Sequence, residues 1–503
     1  MRRTLRALAA GEVLHEVGIV GAGPAGLTLS RLLSHYGVKH FLLDRKMEPV
    51  IHPQAHFINA RSMEVFQSFF PLAHRRILER MSPSSEWRDF VYCHSVLGSP
   101  LQRVDHFAAT PASFWSSSPS NVAHLAQNRV EAALREELTD LCDFHRGFKA
   151  TRYTIGDQCS VEATGSCPET SAQRRQLQCR YLVAADGANS KLREHLGIPM
   201  EGLQSMQSLI NVHFHCKGLR QLLQPRPAML YFVFNEAGVV VFVAHDSAED
   251  EWVAQIPYFP PFQTLEDFTP AVVTALLQEA VGIPSGGPAI QVRSVNSWTM
   301  HAQVAARFSN APAPTAQAPP SAPSAPSAPN PNVFLLGDAA HRFPPSGGFG
   351  MNTGVQDAHN LAWKLAWVSQ RRAAPALLVH YEQERRPIAL QNTALSIANY
   401  NLTAATARAL GADPFLAAVA HGAADFAPLR VLPLALRRAA FLRAMRAGLA
   451  LMGQLRDPAS LLGRLRVRGL RALAAAGQTI PLIFPKEDLG FRYTRGAIVG
   501  AGG

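Results

Sequence analysis

Three acids in this chain stand where a sugar or a phosphate could be held. Asp338 follows Gly337 after the apolar run Val333–Leu336, and the glycine- and proline-rich turn Pro344–Gly350 comes next. Asp186 precedes Gly187 after the run Tyr181–Ala185. Asp44 closes the run Val38–Leu43, 18 residues beyond Gly26 of the segment GAGPAGL at Gly21–Leu27. A carboxylate accepts hydrogen bonds from sugar hydroxyls, and glycines admit a phosphate close to the backbone. Helix starts add unpaired N–H groups that favour an anion.

Those acids work only if strands and helices aim them, and the periodicity predicts such elements. Val17–Val20 reads as a strand. Leu27–Tyr36 reads as a helix with Leu29, Leu32 and Leu33 on one face, ended by Gly37. Val38–Leu43 is the next strand. Gly21, Gly23 and Gly26 have the GxGxxG spacing: Gly21 makes the turn, Gly23 admits a pyrophosphate, and Gly26 packs helix on sheet. Asp44 would accept from an adenosine ribose, with Ala25 and Arg45 beside the same ligand. The unit implies dinucleotide binding, by FAD or NAD(P). The strand exits at Asp186 and Asp338 extend it to a long cofactor held across one sheet.

Further elements follow in order. His52–Phe66 is a loop entering a helix, where Arg61 could face the cofactor or solvent. Residues 121–138 predict an amphipathic helix after a short entry, with Val130, Ala133, Leu134 and Leu138 inward, and Gln127 and Arg129 near its start. The segment 150–180 reads as strands around a polar loop, 156–176. Between about 207 and 300, LINVHFH, MLYFVFN, GVVVFVA and IQVRSVNSWTM read as strands of a largely antiparallel sheet, with a helix near 267–280. Its aromatics Phe214, Tyr231, Phe232, Phe234, Trp252 and Trp298 read as core before pocket. A helix from Thr353 carries Asp357, Asn360 and Lys364, and a mostly helical C-terminal part follows, with a weak strand at Ile480–Phe484.

Composition narrows the class. The 503 residues are 47% hydrophobic and 17% charged, which describes a globular chain of more than one domain. Residues 311–331 hold eight prolines, seven alanines and no charge, and predict a disordered surface insertion. No run of 18 apolar residues predicts a membrane span. Six cysteines without CxxC pairing fit a reduced interior with no zinc site. His213 and His215 share a strand face, but no metal is expected. Net charge is +11, and residues 430–471 contribute ten arginines against Asp457 alone. That stretch could meet a membrane surface or a protein, or form a solvated face; nothing in it reads as a nucleic-acid reader. Residues 1–12 read as a short tail or the start of a targeting peptide, giving a cytoplasmic or mitochondrial location.

Three signatures in order, GAGPAGL, ADGANSKLR at Ala185–Arg193 and GDAAHRFPPSGGFGMNTGVQDAHNLAWKL at Gly337–Leu365, with YEQERRP, NSWTM and VAARF, resemble the FAD-dependent aromatic-ring hydroxylases related to p-hydroxybenzoate and phenol hydroxylases. The closing LGFRYTRGAIV at Leu489–Val499 is similar to the chlorophenol and phenol hydroxylase branch, without the thioredoxin-like domain that follows there. The resemblance covers roughly residues 15–400 and implies an α/β fold. It would comprise a Rossmann-like FAD-binding domain of the glutathione-reductase/p-hydroxybenzoate-hydroxylase type (13–206 and 333–400), an inserted α+β substrate domain (207–310) and a basic helical region (401–503).

By that resemblance Gly21, Gly23, Gly26 and Asp44 hold the ADP half of FAD. Arg61, Gln127 and Arg129 contact its polar parts. Asp186 with Gly187 lies by the pyrophosphate and the nicotinamide route, and Gly337 with Asp338 by the ribityl or pyrophosphate region. Gly350, Met351 and Asn352 present backbone to the flavin, while Pro344 and Pro345 border the substrate. Gln54 stands where the family commonly has arginine. The implied reaction is hydroxylation of an aromatic, phenolic substrate by NADPH or NADH and O2 through a flavin C4a-hydroperoxide, in a monomer or homodimer. Epoxidation, Baeyer–Villiger oxidation or halogenation on the same fold is the alternative, and a non-enzymatic flavin-binding protein is a further one.

Overall fold

The structure is a computed structural model that describes residues 14–49, 51–224, 226–246, 248–311, 330–412, 432–457 and 459–497. The tail 1–12, most of the proline-rich stretch 311–331 and part of 401–503 lie outside those residues.

Two sheets carry the fold. In the first, five parallel strands run in the order Cys142–Arg146, His40–Asp44, Leu14–Val20, Arg174–Ala184 and Val333–Leu335. Cys159–Gly165 and Phe148–Thr154 extend it antiparallel from the Arg174–Ala184 strand. Parallel strands are covered on both faces, so they read as unbroken apolar runs. Val17, Ile19, Phe41, Leu42, Leu182, Val183 and Phe334 are wholly buried accordingly. The helices Pro24–His35 and Phe349–Ser369 pack into this core through Leu29, Leu32, Leu33, Val355, Leu361 and Leu365.

The second, wide sheet has eight strands: His341–Arg342, Gln291–Ala305, Met200–His215, Glu251–Tyr258, Gly238–Asp246, Leu230–Asn235, Asp89–Cys93 and Pro100–Asp105. One face packs on the helix Pro270–Val281 through Phe214, Tyr231, Phe242, Trp252 and Ala254. Phe90, Tyr92, Phe232 and Phe234 point to the other face, toward Phe57, Leu455 and the C-terminal Ile480–Ile483. A short ribbon, Phe57–Ile58 with Ala123–His124, lies between the sheets. The fold is thus a Rossmann-like domain of the FAD-binding type with an inserted α+β sheet and a helical C-terminal region.

Several local expectations change. The polar loop 156–176 contains the strand Cys159–Gly165, whose alternation of Cys159, Val161 and Ala163 inward is set among polar residues. The helix expected within 121–138 ends at Arg135, short of Leu138, and its entry holds the ribbon strand Ala123–His124. The helix expected from Thr353 begins at Phe349, capped by Gly348 at φ +65°. Ile480–Phe484 forms no strand; Pro481 offers no N–H to a ladder, and the apolar side chains around it are buried as a plug. The helices Leu434–Ala450 and Leu461–Ala475 carry the arginine-rich face, with Leu434, Leu436, Leu461 and Leu465 exposed beside it. Two of its arginines bind inward: Arg438 pairs with Asp267, and Arg471 donates to the Leu101 carbonyl.

Candidate functional site

The three glycine–acid segments leave adjacent parallel strands and meet at one crevice. Ala185 N–H donates to the Val20 carbonyl at 2.8 Å, and Leu336 N–H to that of Ala184 at 2.9 Å, so the exits at Gly21, Asp186 and Gly337 stand side by side. Packing there leaves no room for side chains. A Cβ on Gly21, at φ +108°, would lie 2.2 Å from the Ala185 carbonyl, and one on Gly26 would lie 2.0 Å from that of Gly21. Gly337, at φ +59°, would bring a Cβ within 3.2 Å of Ala25. Gly23, Gly187 and Gly350 are the reverse: a Cβ on any of them meets nothing within 4 Å. These three face open space, and the tight glycines hold them there.

Each acid has a defined setting. Asp44 accepts from the backbone N–H of Ala22 (3.2 Å) and Lys46 (2.9 Å), which fixes its carboxylate at the glycine loop. Asp186 Oδ2 accepts from Lys191 N–H at 2.9 Å, while Oδ1 is buried without a partner. Burial raises the Asp186 carboxyl above its ordinary range, against hydrogen bonds from Ser190 and Lys191. Asp338 is accessible, but protein walls crowd the crevice around it. That desolvation raises its carboxyl too, against the pull of His341 and Arg342.

Across from them the helix Phe349–Ser369 begins, with its first-turn N–H groups free of intrahelical partners. Asn352 braces it: Oδ1 accepts from Asn59 N–H (3.0 Å), and Nδ2 donates to the carbonyls of Phe57 (2.9 Å) and Gly348 (2.7 Å). Met351 is buried in the same turn, Pro344 is buried and Pro345 is exposed. Gln127 faces the loop 54–55, donating to Gln54 Oε1 at 3.2 Å and accepting from Ala55 N–H at 3.4 Å.

Two expected cofactor contacts are engaged elsewhere. Arg61 pairs with Glu64, donates to the Leu489 carbonyl at 3.4 Å and stacks over Phe491. Arg129 bridges Asp246 (3.0 Å) and Glu251 (3.1 Å) of the wide sheet. Both arginines follow the nearest carboxylates, supplied by segments distant in sequence or, for Glu64, by the next helical turn. Arg45 is exposed and holds Ser166 Oγ through its carbonyl.

Periodicity could not show the face of the wide sheet opposite the Pro270–Val281 helix. The register aligns Asn296, Asn211, Gln255, Val241, Phe232 and Tyr92 as one lateral row. Trp298 Nε1 donates to Asn211 Oδ1 at 2.9 Å. The row passes from amides to apolar and aromatic side chains, which suits a ring carrying polar substituents. Behind the crevice, Asp357 is fully buried between His341 (2.7 Å) and Arg385 (2.7 Å). Burial raises its carboxyl, but Arg385 and His341 outweigh that and hold it below the ordinary value. Lys364 donates to Glu384 at 2.6 Å in the same interior. Only one group of possible metal ligands occurs among the described residues, His213, His215 and Glu251. Its carboxylate is already shared by His213 (3.0 Å) and Arg129.

Comparison with known proteins accords with this geometry. The family model described as FAD binding domain matches residues 15–312 and 325–396. A 2,4-dichlorophenol 6-monooxygenase of Delftia acidovorans is 31% identical over 396 residues, covering 75% of this chain and 61% of that enzyme. A putative polyketide hydroxylase of Streptomyces halstedii is 29% identical, covering 78% of this chain and 67% of its own length. Among solved structures, the flavin-dependent monooxygenase PieE in complex with FAD and substrate superposes with a TM-score of 0.76 at 25% identity, covering 98% of this chain and 76% of PieE. The rebeccamycin biosynthetic enzyme RebC with reduced flavin gives 0.73 at 25% identity, covering 98% and 80%.

Proposed function

Because the chain belongs to the FAD-binding-domain family of FAD-dependent aromatic hydroxylases, we propose that it is a monooxygenase that uses NADPH or NADH and O2 to hydroxylate an aromatic, phenolic substrate. One observation carries this reading: three glycine–acid strand exits converge on a crevice whose glycines at 23, 187 and 350 open onto space. Residues that fit FAD are therefore present, including an orphaned, buried Asp186 Oδ1 that a ligand donor would satisfy.

The chemistry FAD supplies when bound is acceptance of a hydride from the nicotinamide and activation of O2. The chain's residues supply placement. Gly21, Gly23, Ala25 and Gly26 would cradle the pyrophosphate, with Asp44 on the adenosine ribose and Arg45 beside it. Asp186, Gly187, Gly337 and Asp338 would line the middle of the cofactor. The N–H groups of Gly350, Met351 and Asn352 would face the flavin ring, and Gln127 would close the crevice from the loop 54–55. Arg61 and Arg129 would have to leave their carboxylates to reach the cofactor, so they serve better as ties between segments.

Pro344 and Pro345 would border the substrate, with Asn211, Gln255 and Asn296 orienting its polar groups. Apolar Val241 and Phe232 would exclude water from the substrate side of the crevice. Anaerobic mixing of the FAD-loaded protein with NADPH or NADH, with and without a phenol panel, tests the reading. Bleaching of the oxidised flavin spectrum, faster with a phenol, is expected. Tight FAD with no reduction by either nicotinamide would contradict it.

A further inference from the structure

A separate cavity of about 320 Å3 lies against three interior strands of the wide sheet, lined among others by Trp87, His124, Arg220, Tyr231 and Trp252. That volume is at the lower end of the roughly 300–1,000 Å3 typical of small-molecule sites. It stands apart from the crevice. Tyr231 and Trp252 belong to the core between the sheet and the Pro270–Val281 helix, opposite the row of Asn211 and Gln255. None of the glycines or acids of the crevice lines it.

Within the lining, His124 and Trp252 carry polar atoms without partners. Both ring nitrogens of His124 are buried and have no hydrogen-bond partner, and the residue is only 3% exposed. Trp252 Nε1 is likewise buried and unpartnered, on a residue 2% exposed. A buried polar atom left unpaired is costly, so such atoms mark where a ligand group belongs. Burial, aided by His56, pushes His124 well below its ordinary value. A neutral imidazole offers one donor and one acceptor, and the indole one donor.

The rest of the lining sets the aromatic and apolar Trp87, Tyr231, Pro227 and Ala228 beside the polar Ser82, Ser85 and Gln224 and the Arg220–Glu86 pair. Trp87 stacks on His124 at 5.7 Å, and Leu223 and Ala244 complete the walls. Arg220 is bound by Glu86 at 2.6 Å, with Asp250 and Asp246 also near its charge. This balance leaves no spare cation for a carboxylate or phosphate ligand.

We propose that this cavity is a second ligand site for a neutral hydroxyarene, its ring against Trp87 and Tyr231 and its oxygen substituents meeting the His124 ring nitrogens and the Trp252 indole N–H. The inference does not rest on the flavin reading. It does have a route to the crevice. His124 sits on the ribbon strand paired with Phe57, and the Phe57 carbonyl accepts from Asn352 at the helix start.

The test uses the full-length, FAD-saturated chain. Crystals soaked in 4-bromophenol should show the bromine anomalous signal between Trp87 and Trp252. By calorimetry, toluene should bind this site about tenfold more weakly than phenol, because it lacks the hydroxyl that answers the buried groups. His124→Phe keeps a ring against Trp87 but removes both nitrogens, and should weaken phenol by a similar factor. Where the flavin crevice also takes phenol, the wild-type isotherm has two sites, and in the variant one is about tenfold weaker while the crevice site is unchanged. Failure of the crevice reading alone would leave the His124 site intact. Bromine found only outside this cavity, or equal affinity for phenol and toluene, would overturn the proposal. Both of those measurements stand on the wild-type protein even if the variant does not fold.

Discussion

Replacing Gly23 with alanine separates cofactor binding from folding. Gly23 caps the helix Pro24–His35 in an extended conformation (φ −76°, ψ −176°) that alanine adopts without strain. Its Cβ would meet no atom within 4 Å. The cofactor-free fold should therefore tolerate the change, and gain about 0.4–1 kcal/mol from the stiffer unfolded chain. FAD should not tolerate it. The methyl would stand in the open space of the crevice and hold the pyrophosphate away from the loop N–H groups. A hydrogen bond to a charged group contributes about 1.5–3 kcal/mol, and about 1.4 kcal/mol is tenfold in affinity. Losing one such bond predicts roughly a 10- to 150-fold weaker Kd for FAD.

Gly26→Ala is the control in the other direction. Its Cβ would lie 2.0 Å from the Gly21 carbonyl, so the fold itself should be damaged. The assay pairs quenching of flavin fluorescence on titration with thermal unfolding of the cofactor-free proteins. Wild-type FAD affinity in Gly23→Ala, at undiminished stability, would place the cofactor elsewhere and refute the reasoning.

Other perturbations follow from the buried charges. Burial pushes the Asp488 carboxyl up to about 7, against a hydrogen bond from Asn59 Nδ2 at 2.8 Å. Its folded form keeps a proton that the unfolded chain releases near 4, so its contribution is complete below about pH 4 and is lost as pH rises through 7. Thermal melts from pH 5 to 8 should show a loss of about 2–4 kcal/mol that Asp488→Asn removes; an equal slope in the variant would count against this. Burial lowers His40 to about 4, beside Ser30 Oγ at 2.7 Å. Its stabilisation is present above about pH 6.5 and lost as pH falls through 4, by about 3 kcal/mol, and urea midpoints of His40→Gln should show a shallower acid loss. Lys364→Met leaves Glu384 without its cation and should cost about 3–5 kcal/mol in urea unfolding, part of it recovered in the double variant with Glu384→Leu. A cost below about 1 kcal/mol would mean the pair is not isolated from water.

The sequence made the cradle legible because close packing leaves a local mark. Gly21 and Gly26 are glycines for want of a few ångströms, and the apolar runs before Asp44, Asp186 and Asp338 are strands covered on both faces. Long-range pairing left no such mark. The amide row joins Asn211, Gln255 and Asn296 only through a register set across the whole sheet. Arg129 was legible as a cation near a helix start, but its partner Glu251 is 122 residues away. Strand Glu251–Tyr258 hides in EWVAQIPY, where a proline and polar residues interrupt the β pattern. His124 read as part of a helix entry; its place in a cavity depends on Trp87 and Trp252, which reach it from other elements.

The most direct test of the account is oxygen transfer itself. The FAD-loaded protein would be turned over with NADPH or NADH under 18O2 and a panel of phenols, with products read by mass spectrometry. The account predicts a ring-hydroxylated product carrying one labelled oxygen atom, formed in step with nicotinamide consumption. Nicotinamide oxidation that yields labelled hydrogen peroxide alone across the panel, or a product whose new oxygen comes from water, would contradict it.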